Sequence, residues 1–158
     1  QELQDYPNLV VLQTLSKAWG LAGLRLGMAF ASEAIIGILD KVKPPYNINT
    51  ATQELVLKAL EEVGQVNDMI KIIVDMREAL ANVFRKMPTV EKVYPSDANF
   101  LLVKIADARA VYDFLLTQQI VVRDRSSVEL CENCLRITIG TEKENTLLVD
   151  AMQAWYNR

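Results

Sequence analysis

"TLSKAWGLAGLRLG", residues 14–27, places one lysine and one arginine among small residues. Three of the six glycines of the chain follow Lys17 within ten positions. Glycine permits turns that other residues resist and lets another molecule approach the backbone closely. The stretch continues from "NLVVLQTL", residues 8–15, a short apolar run typical of a strand buried on both faces. We therefore expect a buried strand followed by a loop that a ligand can approach.

The composition of the 158 residues excludes several classes of protein. Lysine and arginine number 17 against 20 aspartate and glutamate residues, so the formal net charge of -3 predicts no nucleic-acid surface. No apolar run reaches the roughly 18 residues of a transmembrane helix, and we expect a soluble, cytoplasmic protein with no membrane partner. The chain contains no histidine, which excludes serine triads, cysteine–histidine pairs and helical zinc-protease motifs.

The two cysteines form the motif "CENC", Cys131 to Cys134. Structural zinc usually takes four Cys or His ligands, and the sequence offers no second half of such a site. A thioredoxin-type pair opens a helix after a strand, whereas this motif precedes the strand-like "LRITIG". We expect two reduced thiols and no metal site.

Capping signals and apolar spacing predict a mixture of helices and strands after the loop. The predicted helices are residues 32–41 with Ser32 as the cap, 50–63 with a Thr50–Gln53 capping box, 67–87, 107–117, and 141–156 with a Thr141–Glu144 capping box. The predicted strands are "TVEKV" (89–93), "NFLLVKI" (99–105), "IVVR" (120–123) and "LRITIG" (135–140). The pattern changes near Gly64, where we expect a domain boundary, and the part that follows reads as a compact α+β unit.

Lys17 does not fit the familiar nucleotide-binding motifs. A phosphate-binding loop needs glycines before the lysine and a hydroxyl residue after it, whereas here Ser16 precedes Lys17 and the glycines follow. The dinucleotide fingerprint also fails, because these glycines are spaced three and four apart.

A lysine at the end of a buried strand, beside the hydroxyls of Thr14 and Ser16, suits a desolvated amine that attacks a carbonyl group. Pyridoxal phosphate carries such a carbonyl and also a phosphate, to which Arg25 could present a forked, permanently charged donor. The alternative is that Lys17 lies on a surface turn and that Arg25 is a solvated charge.

The order Ser-Lys-Ala-aromatic-Gly-Leu-Ala-Gly-Leu-Arg-x-Gly in residues 16–27 resembles the cofactor-lysine segment of the class I and II pyridoxal-phosphate aminotransferases. "KPPYNINTATQ" (43–53) and "CLRITIGTEKEN" (134–145) further resemble the histidinol-phosphate branch of that family. The similarity covers essentially the whole chain, and it implies an α/β fold-type-I PLP-transferase. Residues 1–64 would then be the C-terminal part of the large PLP-binding domain, and residues 65–158 a small α+β domain.

The resemblance also implies roles for individual residues. Lys17 would hold the cofactor covalently and, once released by substrate, move the proton between the substrate carbon and the cofactor. Arg25 would bind the cofactor phosphate, with Ser16 and Thr14 as hydroxyl partners. Arg136 matches the arginine that anchors the substrate near the C-terminus of these enzymes.

Alternation along "LRITI" agrees with that role for Arg136. A strand sends successive side chains to opposite faces, so Arg136 and Thr138 should lie opposite Leu135, Ile137 and Ile139. An arginine within a short strand needs a partner, and a substrate carboxylate or phosphate would be one.

Arg123, in "VVRDR", is a candidate second contact for an anion on a phosphorylated substrate. It could equally pair with Asp124 or Glu129 on the surface. The start of the strand in "DANFLLV" also resembles the family, but we assign no catalytic role to its Asn99 or Phe100.

Two hypotheses of different class follow from the resemblance. In the first, the sequence represents a homodimeric aminotransferase that converts histidinol phosphate and 2-oxoglutarate to imidazole-acetol phosphate and glutamate, or an aromatic-amino-acid aminotransferase or threonine-phosphate decarboxylase of the same fold. In the second, the chain is a folded but inactive piece, because the family's pyridine-binding aspartate, stacking aromatic ring and glycine-rich phosphate loop all lie upstream of the matched region.

Overall fold

The computed structural model describes residues 2–158, which form two compact units. The first unit reaches Asp68 and contains α1 (Glu2–Asp5), β1 (Val10–Thr14), β2 (Gly27–Ala31), α2 (Glu33–Val42), α3 (Thr50–Leu60) and the start of α4 (Val63–Phe84). The second unit, Met69–Arg158, contains the rest of α4, β3 (Val90–Val93), β4 (Phe100–Ile105), α5 (Ala108–Thr117), β5 (Arg123–Asp124), β6 (Cys134–Thr138) and α6 (Glu142–Tyr156). The domain assignment of 1–64 and 65–158 stays a prediction.

In the first unit, β1 pairs with β2 in an antiparallel hairpin that places Thr14 opposite Gly27. The expectation of a strand buried on both faces is wrong for this chain, because all five residues of β1 are exposed and Leu12 is 78% exposed. Pairing with β2 satisfies the backbone along one edge but covers neither face of the strand. The strand β2 was not predicted, since "GMAFA" has few of the β-branched residues that mark a strand.

Two predicted helix caps in the first unit differ in detail from the structure. The Thr50–Gln53 capping box is wrong: Asn49 is the N-cap of α3, and its side chain accepts a 2.8 Å hydrogen bond from the amide of Thr52. Ser32 does precede α2, but its hydroxyl donates to the carbonyl of Pro7 at 3.0 Å instead of capping the helix. Asn and Ser are both residues that favour the position just before a helix begins.

The second unit is a four-stranded antiparallel sheet in the order β3-β4-β6-β5. Side chains from one face of the sheet form the hydrophobic core with α4, α5 and α6. Its fully buried members from the strands and helices include Phe84, Val103, Ile105, Val111, Leu115, Leu135, Ile137 and Met152. The predicted strands are present, although "IVVR" contributes only Arg123 to β5.

The helix α4 begins four residues earlier than predicted and ends at Phe84, before Met87. The apolar residues whose spacing of three and four predicts this helix are Met69, Ile73, Met76, Leu80, Val83 and Met87. Of these, Leu80 and Met87 lie in the core of the second unit, whereas Met69 and Val83 are exposed. None of the helices within residues 2–158 has the length and apolarity needed to cross a membrane.

The predicted capping box at the start of α6 is confirmed. The hydroxyl of Thr141 accepts from the amide of Glu144, whose carboxylate accepts from the backbone N–H of Thr141 at 2.7 Å. Gly140 precedes this box, and a Cβ there would lie 2.9 Å from the Cβ of Glu144. The residue before the cap must therefore be small.

The capping box makes the stability of the chain depend on pH. Hydrogen bonds from the backbone and hydroxyl of Thr141 lower the pKa of Glu144 below its ordinary 4.5. A lowered pKa in the folded state means that the ionised carboxylate stabilises the native chain above the unfolded pKa, and that this contribution is lost as pH falls through the folded pKa. We expect Glu144→Gln to lower the free energy of unfolding at pH 7, with the difference from wild type shrinking below about pH 4.5 in urea titrations.

The matched control is Glu142→Gln, which removes the same charge from the same helical turn outside the box. It should change stability less and with a weaker pH dependence. Identical pH profiles for the two variants would contradict the account of the cap.

Candidate active site

The loop between β1 and β2, residues 15–26, is held together by hydrogen bonds within its own backbone. Leu15 is buried, and its carbonyl accepts a 3.0 Å hydrogen bond from the amide of Leu21. The amide of Gly20 donates to the carbonyl of Lys17 at 2.9 Å, and Gly20 has a φ of +67° that a residue with a side chain rarely adopts. Lys17 therefore begins a tight turn that ends at Gly20.

Two of the predicted site residues meet at the start of this loop. The hydroxyl of Thr14 donates to the hydroxyl of Ser16 at 3.0 Å and accepts from the amide of Ser16 at 3.1 Å. Lys17 follows directly, and among residues 2–158 its amine has no salt bridge. The side chain of Lys17 is exposed, so the described residues do not provide the desolvated environment that the sequence predicted.

Arg25 ends the single 3₁₀ turn Ala22–Leu24 of the same loop in the left-handed conformation, with φ of 54° and ψ of 34°. Left-handed backbone costs a residue with a Cβ roughly 1–2 kcal/mol and is often found at functional sites. One guanidinium nitrogen donates to the carbonyl of Ala22 at 3.3 Å, and no carboxylate in the described part of the chain pairs with Arg25. Most of its donors are therefore available to an anion.

The chemistry of these side chains fits a group that carries both an aldehyde and a phosphate. An unpaired amine suits the aldehyde, and a guanidinium with free donors beside hydroxyl groups suits the phosphate. A Cβ at Gly20 or Gly23 would meet nothing within 4 Å, so the space next to this backbone is open. Thr14 at the end of β1, together with Ser16, Lys17 and Arg25 of the loop, would hold pyridoxal phosphate. We call residues 14–26 the lysine loop.

The second candidate region lies on the sheet of the second unit, on the face opposite the core. Arg136 occupies the middle of β6 between the buried Leu135 and Ile137, so the predicted alternation is confirmed. Its Nε is buried without a hydrogen-bond partner among the described residues. The Cζ of Arg136 lies 4.9 Å from the centre of the Phe100 ring. A guanidinium held over an aromatic ring with an unsatisfied donor is suited to bind an anion.

Phe100 is a contact that the sequence analysis missed. It pairs with Thr138 across β4 and β6, and so lies on the same face as Arg136, diagonally one step away. The alternation of "NFLLVKI" could have placed its ring on this face once the register with β6 was known.

Arg123 lies directly opposite Arg136 in the pairing of β5 with β6. Directly opposed residues of an antiparallel pair share a face, so two positive side chains stand next to each other. Neither Asp124 nor Glu129 forms a salt bridge with Arg123 within residues 2–158. Asp124 points to the other face and contacts Arg109 at 3.8 Å. Both arginines thus remain available to a shared anion.

The cysteine motif takes no part in either region. Cys131 and Cys134 are free, and Cys134 is fully buried at the start of β6. Burial raises the pKa of the Cys134 thiol, which keeps it protonated and poorly reactive.

The known proteins that match this chain are aminotransferases. The family model for aminotransferase class I and II matches residues 1–152. Histidinol-phosphate aminotransferases from Parabacteroides distasonis and Cytophaga hutchinsonii are 54% and 51% identical over 153 residues, which is 97% of this chain and 44% of each relative. The chain therefore spans less than half the length of these relatives.

Solved structures support the predicted fold. The crystal structure of the histidinol-phosphate aminotransferase from Clostridium acetobutylicum matches with a TM-score of 0.87 over 99% of this chain and 48% of that one, at 23% identity. The predicted fold class, part of an α/β fold-type-I PLP-transferase, is confirmed. With the family match extending from the lysine loop through the arginine-bearing sheet, the chain belongs to the aminotransferase class I and II family.

Proposed function

We propose that this chain forms part of a pyridoxal-phosphate-dependent aminotransferase that acts on histidinol phosphate and 2-oxoglutarate, giving imidazole-acetol phosphate and glutamate, or the reverse. The proposal assigns it to histidine biosynthesis in the cytoplasm. The observation that carries it is the segment from Thr14 to Arg25 between two paired strands, which brings two hydroxyls, a lysine without a salt bridge in the described chain and a guanidinium with free donors into one short stretch. The identity of about half to histidinol-phosphate aminotransferases supports the choice of substrate.

In this proposal each side chain of the lysine loop has one task. The amine of Lys17 holds the cofactor covalently and, when free, takes up and returns the proton at the substrate carbon. Arg25 binds the phosphate through its fork of N–H groups, with the hydroxyls of Ser16 and Thr14 beside it. Pyridoxal phosphate, when bound, supplies the electron-withdrawing ring that accepts the negative charge of the reaction.

The arginines of the second unit bind the substrate in this proposal. Arg136 anchors a carboxylate or phosphate, because its buried Nε has no partner among residues 2–158 and its guanidinium packs on Phe100. Arg123, beside it on β5, adds a second positive charge, which suits a phosphorylated substrate that exchanges with a dicarboxylate. Either anion would relieve the repulsion between the two arginines.

We also propose that residues 1–64 belong to a large cofactor-binding domain and residues 65–158 to a small domain, and that the complete enzyme is a homodimer. Two observations support this proposal: Lys17 is exposed, and apolar side chains along β1 and α2 are exposed, among them Val10, Leu12, Ile38 and Val42. Large exposed apolar patches mark interaction surfaces. We expect the isolated chain to self-associate and to lack transaminase turnover.

The labelling of Lys17 by pyridoxal phosphate tests the proposed cofactor site. The chain is mixed with pyridoxal phosphate, reduced with borohydride and digested, and the cofactor's mass is located by mass spectrometry. We expect Lys17 to be labelled several-fold more than Lys43, an exposed lysine of the same unit that pairs with Asp40 at 3.3 Å. The preference should vanish with pyridoxal, which lacks the phosphate, and in Arg25→Met.

Even labelling of the lysines by both aldehydes would contradict the proposed cofactor site. A transaminase assay on the same preparation tests whether catalysis needs residues beyond this chain. Turnover by the isolated chain would contradict that expectation.

Because the backbone of Arg25 is left-handed, we expect substitutions at this position to affect the stability of the chain and the binding of the cofactor differently. Arg25→Ala and Arg25→Gly remove the same guanidinium, but only glycine relieves the left-handed strain. Allowing for the greater freedom of glycine in the unfolded chain, we expect the glycine variant to be about 0.5–1 kcal/mol more stable than the alanine variant in urea unfolding. Both variants should lose the labelling preference for Lys17.

The matched control for the backbone effect is Ala22→Gly in the preceding turn, where the backbone is not left-handed. There glycine should lower stability. A glycine variant at position 25 that is no more stable than its alanine counterpart would contradict the assigned strain.

A further inference from the structure

Arg77, on α4, is the only charged side chain that is buried within residues 2–158, at 7% exposure. Its Nη1 donates a 3.0 Å hydrogen bond to the carbonyl of Ala98, which lies 21 positions along the chain. Its Nε and Nη2 donate to a carboxylate oxygen of Glu78, whose side chain is 56% exposed. Burying a guanidinium costs free energy, so packing alone does not explain why an arginine occupies this position.

The carbonyl that Arg77 contacts belongs to the turn that leads into β4. Within this turn the hydroxyl of Ser96 donates to the carbonyl of Phe100 at 2.6 Å and accepts from the amide of Ala98 at 3.2 Å. The carbonyl of Asn99 accepts from the amide of Ile139, just beyond β6, at 2.9 Å. Arg77 is thus the contact that ties this turn to the helix layer, while the other bonds tie it to itself and to the sheet.

Phe100 follows the turn immediately, and its ring lies under Arg136 with 4.9 Å between the ring centre and Cζ. The position of Ala98 limits where the backbone of Phe100 can lie, since only Asn99 separates them. Arg136 has a buried Nε without a hydrogen-bond partner in the described chain, and its guanidinium packs over the Phe100 ring. A shift of the turn would move the ring and release the guanidinium.

We propose that Arg77 is a positioning residue for the anion site: through Ala98 it fixes the turn before β4, and so holds Phe100 beneath Arg136. The inference rests on the proposed function in its use of Arg136 to bind the substrate anion. The positioning of Phe100 by Arg77 rests only on the Arg77–Ala98 hydrogen bond, the turn before β4 and the contact between Phe100 and Arg136. Arg77 lies on the helix layer and Arg136 on the opposite face of the sheet, so Arg77 acts on the anion only through the turn.

The Nε–Hε signal of Arg136 in the ¹H–¹⁵N NMR spectrum of the chain reports this geometry directly, because a proton over an aromatic ring is shifted by the ring current. Arg136→Lys assigns the signal, and Phe100→Leu gives its position without the ring. In Arg77→Met, which retains bulk but no donors, we expect the signal to move toward its position in Phe100→Leu. Arg77→Lys, which keeps one donor for Ala98, should restore part of the shift and serves as the test variant should Arg77→Met not fold.

Two control variants separate positioning from general effects. Arg85→Met removes the same charge just after the end of α4, where the side chain, among residues 2–158, bonds only to Asn82 of α4 at 2.8 Å. Val111→Ala weakens the core from α5 without touching the turn. Neither should move the Arg136 signal, even where urea unfolding shows lower stability.

Binding of glutamate as the probe anion gives the second readout. We expect Arg77→Met to raise the Kd for glutamate about fivefold, the equivalent of one neutral hydrogen bond, and Arg136→Met to abolish specific binding. An Arg136 signal that stays in place in Arg77→Met and Arg77→Lys would overturn the inference. A signal that moves as expected, with glutamate affinity unchanged in both Arg77→Met and Arg136→Met, would support the positioning role and contradict the proposed anion site.

Discussion

The pairing of β6 between β4 and β5 is the constraint on which the second unit depends. It places Leu135 and Ile137 in the core and leaves Arg136 on the other face, because successive side chains of a strand point in opposite directions. A shift by one residue would bury the guanidinium and expose the two apolar side chains, at a cost of several kcal/mol. The hydrophobic core therefore fixes the register, and the register fixes the candidate anion site.

The same register explains why two arginines stand side by side. The pairing of β5 with β6 sets Arg123 against Arg136 and turns Asp124 to the core face, where it meets Arg109. Such an arrangement is unfavourable in an empty sheet and favourable around an anion. The lysine loop of the first unit shows a similar arrangement, since Arg25 adopts a costly backbone conformation and, within residues 2–158, keeps most of its donors unpaired. Both regions carry an unfavourable arrangement that the proposed anionic ligands would relieve.

Sequence reasoning succeeded where local chemistry decides the structure. The Thr141–Glu144 box, the alternation around Arg136 and the positions of β3, β4 and β6 along the chain follow from adjacent residues. It failed where tertiary context decides: Asn49 instead of Thr50 caps α3, β2 forms because β1 offers it an edge, and β1 is exposed because its faces lack cover. The stacking of Phe100 under Arg136 depends on the register between two strands whose paired residues, from Lys104 with Cys134 to Phe100 with Thr138, are 30 to 38 positions apart, which no local pattern encodes. Whether Lys17, Arg25, Ser16, Thr14, Arg136 and Arg123 act as proposed stays a prediction.

The most direct test of the anion site is a double-mutant cycle on the free energy of unfolding, using Arg123→Met, Arg136→Met and the double variant. Without an added anion, the account predicts that the two arginines repel each other by about 0.2–1 kcal/mol. With glutamate or an alkyl phosphate monoester, the wild-type chain should gain stability by mass action and the coupling should become favourable. Equal stabilisation of the wild type and the double variant by these anions, or a coupling of zero under all conditions, would contradict the account.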